Sequence, residues 1–356
     1  MQREQVKKLS VLQQDVRHVC ETNENLKLLE GQTVLITGAT GFVGSFLVRV
    51  LLEYSHMTGE EIHVIAMVRN KAKAEALFNE CEKHELISYL CQDVRDAVSW
   101  DGTIDYIIHC ASNAGPKEYG ADPAGTMTTN FAGTAHLLEL AREKNVKKFL
   151  YASTIEVYGA AYKDGVIGEH DFGVIDSTNV RSCYPISKKA CETLAVAYAD
   201  QYQVPAVIVR LSYLYGAGMK KDDSKVVAQF ARNIAEHKNI VMKSTGEQLR
   251  SYTYISDAAS ALLTVLIKGE AAQAYNIANP ESRITIAGMA EQLTKIYPDR
   301  NLKVVFDLPT EADLKRFSFI RDAVLDSSKL ESLGFQASVP IQNGLKRMVE
   351  SIEENQ

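Results

Sequence analysis

The sequence predicts a doubly wound α/β fold on a mainly parallel sheet, and three observations predict it. Apolar runs rich in β-branched residues alternate with helical segments along the chain. Those runs are continuous, as strands covered on both faces require. The first of them, within TVLITGATGFVGSFLVRVLLE at 33–53, passes through three glycines directly into a helical pattern.

Ahead of that run, Val6, Leu9, Leu12, Val16 and Val19 recur at helical spacing and predict an amphipathic helix packed on the body of the protein. Glu4, Asp15 and Glu21 dilute the basic face that a membrane-surface helix would need. Neither a secretory signal nor a membrane span is read anywhere in the chain. After the first strand and helix, IHVIAMVR (62–69), IDYIIHCA (104–111), KKFLYAS (147–153) and PAVIVRL (205–211) read as buried strands. Helical segments at 71–79, 123–144 and 184–202 separate them, which makes each crossover a strand-helix-strand unit. Beyond Leu211 the elements become shorter and mixed: a helix at 225–237, strand-like NIVMK and LRSYTYI, then a helix at 257–267. This predicts a smaller mixed α/β lobe closing over the carboxyl ends of the sheet. With no Pro/Gly-rich linker, the expected division is interleaved: a helical extension at 1–30, a dinucleotide-binding domain at 31–211 plus 249–269, and a substrate lobe at 212–248 plus 270–356.

Bulk composition excludes several classes. At 356 residues, 46% hydrophobic and 24% charged, the chain is an ordinary globular protein with room for a large core. A net charge of −6 argues against a nucleic-acid partner. Cys20, Cys81, Cys91, Cys110, Cys183 and Cys191 show no C-x-x-C spacing, so a disulfide framework and a zinc site are not expected, and a reducing cytoplasmic setting is. His109 and His170 lack a carboxylate pattern around them, and no metal is expected.

The chemistry lies in two spacings. Gly38-x-x-Gly41-x-x-Gly44, between a strand and a helix, is a dinucleotide fingerprint. It places a pyrophosphate at the helix N-terminus and makes Thr40, Phe42 and Val43 of the same turn cofactor-binding candidates. Tyr184 and Lys188 stand four apart on one helical face, where a lysine cation lowers the pKa of a phenol. Ser153, 31 residues earlier at a strand end, offers a hydroxyl to the same substrate oxygen. Together these make a hydride-transfer site with its own acid/base.

TGATGFVG, QDV (92–94), HCAS (109–112), NFAGT (130–134), ASTIEVYG (152–159), YPISK (184–188) and RSYTYISD (250–257) stand in one order. In that order they resemble the extended short-chain dehydrogenase/reductase family of nucleotide-sugar epimerases, dehydratases and decarboxylases. The resemblance implies a Rossmann-type sheet, a nucleoside-diphosphate sugar as substrate and transient oxidation at C4 by a bound nicotinamide cofactor. It implies that Asp93 and Val94 hold the adenine, and that Ala111 and Ser112 line the cofactor phosphates and ribose. Tyr184 becomes the base, Lys188 its modulator and ribose ligand, and Thr154 a partner of the substrate 4-hydroxyl. HCASNAGPKEYGADPAGTMTTNFAGT and GMKKDDSKVVAQF look like segments of UDP-glucuronate decarboxylases, which adds Tyr119 and Lys225 as substrate contacts. Glu156 and Arg250 match decarboxylase positions that handle protons and the substrate carboxylate. Helices 123–144 and 184–202 resemble those that pair two subunits, so a homodimer is expected.

Three positions depart from the pattern. Ile155 stands where decarboxylases carry serine and 6-deoxy dehydratases aspartate, Ser212 replaces an asparagine, and Arg69-Asn70 replaces the acid that binds the ribose 2′-hydroxyl. Arg69 favours the 2′-phosphate of NADP, whereas a reaction that begins by oxidising its substrate favours NAD. The expected cofactor is NAD, with NADP admitted by Arg69. The alternatives are a net NAD(P)-dependent keto-sugar-nucleotide reductase and a non-catalytic nucleotide-sensing protein of the same fold.

Overall fold

A computed structural model describes residues 9–160, 165–308 and 322–356. Seven strands form one sheet in which every neighbouring pair is parallel: β1 (Thr33–Thr37), β2 (His63–Val68), β3 (Ile87–Cys91), β4 (Tyr106–His109), β5 (Lys148–Thr154), β6 (Ala206–Leu211) and one late strand, Ala274–Ile277. From edge to edge the order is the late strand, β6, β5, β4, β1, β2, β3. The chain therefore leaves β1 in one direction and returns to its other side at β4, and the crevice at that reversal is where ligands bind in open α/β sheets.

Alternate residues of each strand feed two cores. Leu35, Ile65, Ile107 and Phe149 pack beneath α5 (Pro123–Lys144) and α6 (Cys183–Tyr202), after the shorter α3 (Lys71–Phe78) and α4 (Pro116–Ala121). Val34, Ile36, Val64 and Leu150 face the opposite layer, which contains α2 (Phe42–Thr58) and the helix Ile255–Lys268. Helices on both faces make the sheet doubly wound, as the continuous apolar runs predict.

The second lobe is mixed. β7 (Tyr213–Tyr215) pairs parallel to Leu249–Tyr254, which pairs antiparallel to Arg283–Thr285, and Ile240–Met242 pairs with Val304–Phe306. The helices α7 (Val226–Ala235), Ile286–Ile296 and Ile341–Glu353 complete it. Two segments differ from expectation: Ala274–Ile277, inside the range 270–356 assigned to the lobe, is the edge strand of the main sheet, and Leu249–Tyr254, assigned to the main domain, is the middle strand of the smaller sheet.

The N-terminal helix α1 (Val11–Thr22) starts at a capping box, with the Ser10 hydroxyl accepting from the Gln13 amide and the Gln13 side chain accepting from the Ser10 amide. Val16 and Val19 are buried as the spacing predicts, Leu12 is partly buried against the same core, Leu9 precedes the helix, and Val6 lies outside the described residues. Asp15 is buried too. It accepts from the Tyr254 hydroxyl at 2.6 Å and from Arg347 Nε at 2.7 Å, so the extension is stitched to the second lobe and to the C-terminal helix. Among the described residues no helix is long and apolar enough to cross a membrane.

Candidate active site

The cofactor candidates meet along one crest because they all follow the carboxyl ends of parallel strands. Gly38 follows β1 with φ +65°, a left-handed value that glycine adopts without strain, and a Cβ there would stand 2.9 Å from the Ala111 amide nitrogen after β4. A side chain on Gly44 would collide with the Gly38 carbonyl. These two glycines let the turn, the first turn of α2 and the end of β4 close on one another. Gly41 is the N-cap of α2 and supplies no side-chain cap, so the first amides of the helix, at Phe42, Val43 and Gly44, keep their donors toward the crest beside Thr40. Backbone donors without competing side chains fit a pyrophosphate.

A buried hydrogen-bond chain fixes the crevice. The Thr37 hydroxyl accepts from the Ala111 amide at 3.1 Å and meets His109 Nδ1 at 2.7 Å, and His109 Nε2 meets the Thr134 hydroxyl at 3.2 Å. Burial, helped by the Lys188 charge, pulls the imidazole down to about 3, so His109 is a neutral strut. Ser112 donates to Asn130 Oδ1, and Asn130 Nδ2 donates to Ser187 in α6, which ties the turn after β4 to the helix carrying Tyr184.

Arg69 and Asn70 follow β2 and are exposed. The Asn70 side chain accepts from the Lys73 amide as the N-cap of α3, so its oxygen is committed to the helix. Asp93, after β3, is bonded by Arg95 and held below the usual carboxylate range by that bond, with the Arg69 charge contributing. Val94 is buried against Gly133 of α5.

Tyr184, at the start of α6, is buried and stacked on Tyr119, with ring centroids 5.1 Å apart and planes 9° from parallel. Thr154, the last residue of β5, accepts from the Glu156 amide, and its hydroxyl lies beside the Tyr184 phenol, where it favours the charged form. Arg181, three residues ahead of Tyr184, donates from Nη1 to the Tyr119 hydroxyl at 2.8 Å. Burial raises the Glu156 carboxyl, against the pull of Arg181 and then Arg250. Arg250 is buried with its guanidinium 5.4 Å from the Tyr213 ring centroid. Tyr119, Thr154, Glu156, Arg181, Tyr184 and Arg250 thus form one group.

Three expectations change. Ser153 does not join that group: its hydroxyl donates to Glu192, because successive residues of a strand point to opposite sides and Ser153 faces α6 one turn deeper than Thr154. Tyr184 is raised rather than lowered, by burial first and the Glu156 charge second, with the Thr154 bond opposing. The Lys188 ammonium is buried, donates to the Ala152 carbonyl at 2.7 Å and lies 4.8 Å from the Tyr151 ring centroid. Lys225, at the N-cap of α7, bonds Asp223 at 3.0 Å. Ile155 packs in an apolar cluster with Val157, Ile167, Ala278 and Ala323.

Arg181 and the Glu192–Arg210 pair escaped the sequence reading. A cation one turn ahead of the tyrosine was the available signal for Arg181. Glu192 extends the spacing of Tyr184 and Lys188 by four more residues, and thus lies on the same helical face.

Burial pulls the Lys188 ammonium down to about 8 from an ordinary value near 10.5. A lysine lowered on folding costs stability while it is charged, and that cost fades as pH rises from about 8 toward 10.5, where the unfolded chain binds the extra proton. The unliganded Lys188→Met variant is therefore expected to melt above the parent at pH 7, with the difference narrowing through that window and cofactor retention lost. Calorimetric melts across pH check it.

Comparison with known proteins follows this geometry. The profile of the NAD dependent epimerase/dehydratase family matches residues 34–278. UDP-glucuronic acid decarboxylase 6 of Arabidopsis thaliana is 30% identical over 322 residues, covering 89% of this chain and 88% of that protein. The solved UDP-glucose 4-epimerase of Thermotoga maritima, with UDP-glucose, shares the fold at a TM-score of 0.76 and 24% identity, over 91% of this chain and 99% of that one. UDP-glucuronic acid 4-epimerase from Bacillus cereus, with UDP-glucuronic acid and NAD, does so at 0.75 and 24%, over 91% and 100%.

Proposed function

Because this chain belongs to the NAD-dependent epimerase/dehydratase family, we propose that it binds NAD across the crest and transforms a nucleoside-diphosphate sugar by transient oxidation at C4. The observation that carries the reading is the buried Tyr184, stacked on Tyr119 at the start of α6, on the same crest as a glycine turn that closes only without side chains. The cofactor, when bound, takes up a hydride and returns it. The chain does the rest. Thr154 aligns the sugar hydroxyl and opposes the upward pull of burial on the phenol, Tyr184 receives the sugar hydroxyl's proton and restores it, and Lys188, one helical turn on, holds the cofactor ribose. Glu156 carries a second proton at the sugar, and Arg250 faces it from the second lobe. Ala111, Ser112, Asp93 and Val94 line the cofactor side, and Tyr119 and Lys225 serve the substrate.

Incubation of the purified protein with UDP-, dTDP-, GDP- and CDP-sugars, read by product mass and released carbon dioxide, tests this. The expected result is conversion of at least one sugar nucleotide without net cofactor turnover. Little carbon dioxide is expected from UDP-glucuronate, since Ile155 offers no hydroxyl to the carboxylate. Stoichiometric consumption of a reduced cofactor would instead support the reductase reading, which exposed Arg69 favours by suiting NADP. Arg69→Asp is expected to weaken NADP about 10- to 100-fold, the worth of a charge-assisted contact, while sparing NAD. Titration calorimetry with both cofactors distinguishes this from a stacking role, in which both weaken alike.

The working unit is a homodimer in the cytoplasm. Met127 and Phe131 on α5 and Val196 on α6 stay 40%, 49% and 37% exposed, an apolar surface that a second copy would cover. All six cysteines are free, in keeping with a reducing compartment. Light scattering is expected to give twice the chain mass of 39.4 kDa.

A further inference from the structure

Arg181 is placed by its own turn. The Asn179 side chain accepts from its amide at 3.0 Å in Val180–Ser182, immediately ahead of α6. From there its guanidinium lies 5.6 Å from the Tyr119 ring centroid and donates to the Tyr119 hydroxyl, and Tyr119 in turn stacks on Tyr184. The cation is therefore one aromatic ring away from the phenol. Its described partner is a neutral hydroxyl, and among the described residues no carboxylate forms an ion pair with it. A planar guanidinium has five N–H donors in a fork that matches a carboxylate, and one hydrogen bond to a phenol leaves most of that fork for a ligand.

The neighbourhood sets what that ligand is. Glu156 faces the same space, and a lone carboxylate there would repel an acid on the substrate. Arg181 and Arg250 both draw on the Glu156 charge from different elements, Arg181 the more strongly. Ile155 is turned into the cluster with Ala278 and Ala323 and brings no donor. The groups closest to Arg181, Tyr119 and then Tyr184, belong to the end of the site where the sugar reacts.

We propose that Arg181 is a specificity-determining residue that holds an acid group carried by the sugar, so that the chain selects nucleoside-diphosphate uronates over the neutral hexoses. The proposal rests on the nucleotide-sugar reading above. It adds that selection is made by a residue outside the Tyr184–Lys188 spacing, and it does not require that the acid be lost.

The test is titration calorimetry of the NAD-loaded full chain with glucuronate and glucose linked to UDP and to dTDP, and with UDP and dTDP alone. The parent is expected to bind one of the two uronates at least tenfold more tightly than the matching glucose compound. Arg181→Gln is expected to lose about 10- to 100-fold for that uronate and under about threefold for the glucose compound and the free nucleotide. Arg181→Lys restores part of the loss. Equal loss for all three ligands would place the cation on the diphosphate and overturn the proposal, as would an unchanged uronate affinity. Tyr119→Phe, which keeps the ring stack and removes the phenol bond, provides a second variant and is expected to lower the preference without abolishing it. If the parent binds none of the six ligands, the nucleotide-sugar reading itself falls. Binding of both sugars without preference sinks the Arg181 assignment alone.

Discussion

Tyr184→Phe is expected to lower turnover by about two to four orders of magnitude, the contribution of a positioned acid/base, with fold and cofactor retention intact. The substitution removes one hydroxyl and leaves a ring that still stacks on Tyr119. Because burial first and the Glu156 charge second raise the pKa of Tyr184, the unliganded phenol holds its proton at neutral pH. Loss of that oxygen therefore removes proton transfer without creating a buried charge. Single-turnover measurement on the converted sugar nucleotide, alongside cofactor content by absorbance, checks the outcome. Turnover near that of the parent would overturn the assignment of Tyr184.

Glu192→Ala is expected to destabilise the protein by about 3–5 kcal/mol, the cost of leaving a buried cation without its partner. Arg210 reaches Glu192 Oε2 from Nη2 at 2.7 Å and Glu192 Oε1 from Nε at 3.1 Å, with side-chain exposures of 11% and 7% for Arg210 and Glu192. Its Nη1 also donates to the Tyr158 hydroxyl and to the Glu169 carbonyl, and Tyr158 donates to Asn276. The network joins α6, β6 and the edge strand Ala274–Ile277, and among the described residues Glu192 is the carboxylate paired with the guanidinium. Denaturant unfolding measures the loss. Ser153→Ala, which removes one donor to the same carboxylate, is expected to cost much less.

The central strands were legible because burial on both faces imposes continuous apolar runs: 62–69, 104–111, 147–153 and 205–211 hold β2, β4, β5 and β6. Two edge strands were not. Ile87–Cys91 is only partly buried, and Ala274–Ile277 is short and holds Asn276, a buried amide that donates to the Ile167 and Asp326 carbonyls. Neither carries the apolar signature of a central strand. At the site, helical spacing was sufficient for Tyr184 and Lys188 because one turn fixes their common face. Spacing could not choose between Ser153 and Thr154, since the choice depends on where α6 crosses the strand. It was silent about Arg181, whose place depends on a turn outside any periodic element.

The Asp15 carboxylate closes a long circuit. Arg347 lies 332 positions further along the chain, and the Val11 amide bonds Glu354 343 positions away. During synthesis α1 leaves the ribosome well before Ile341–Glu353, so its buried acid waits for that helix. In the interval the sheet can assemble from strands adjacent in sequence and α1 can lie on α2, where Arg17 pairs with Glu53 and the Cys20 thiol donates to the Val50 carbonyl, while Asp15 has the Tyr254 hydroxyl but not yet Arg347. Full attachment of α1 reports that Ile341–Glu353 has been made, and a protease that cuts loosely held helices would separate chains that carry that helix from chains that do not yet.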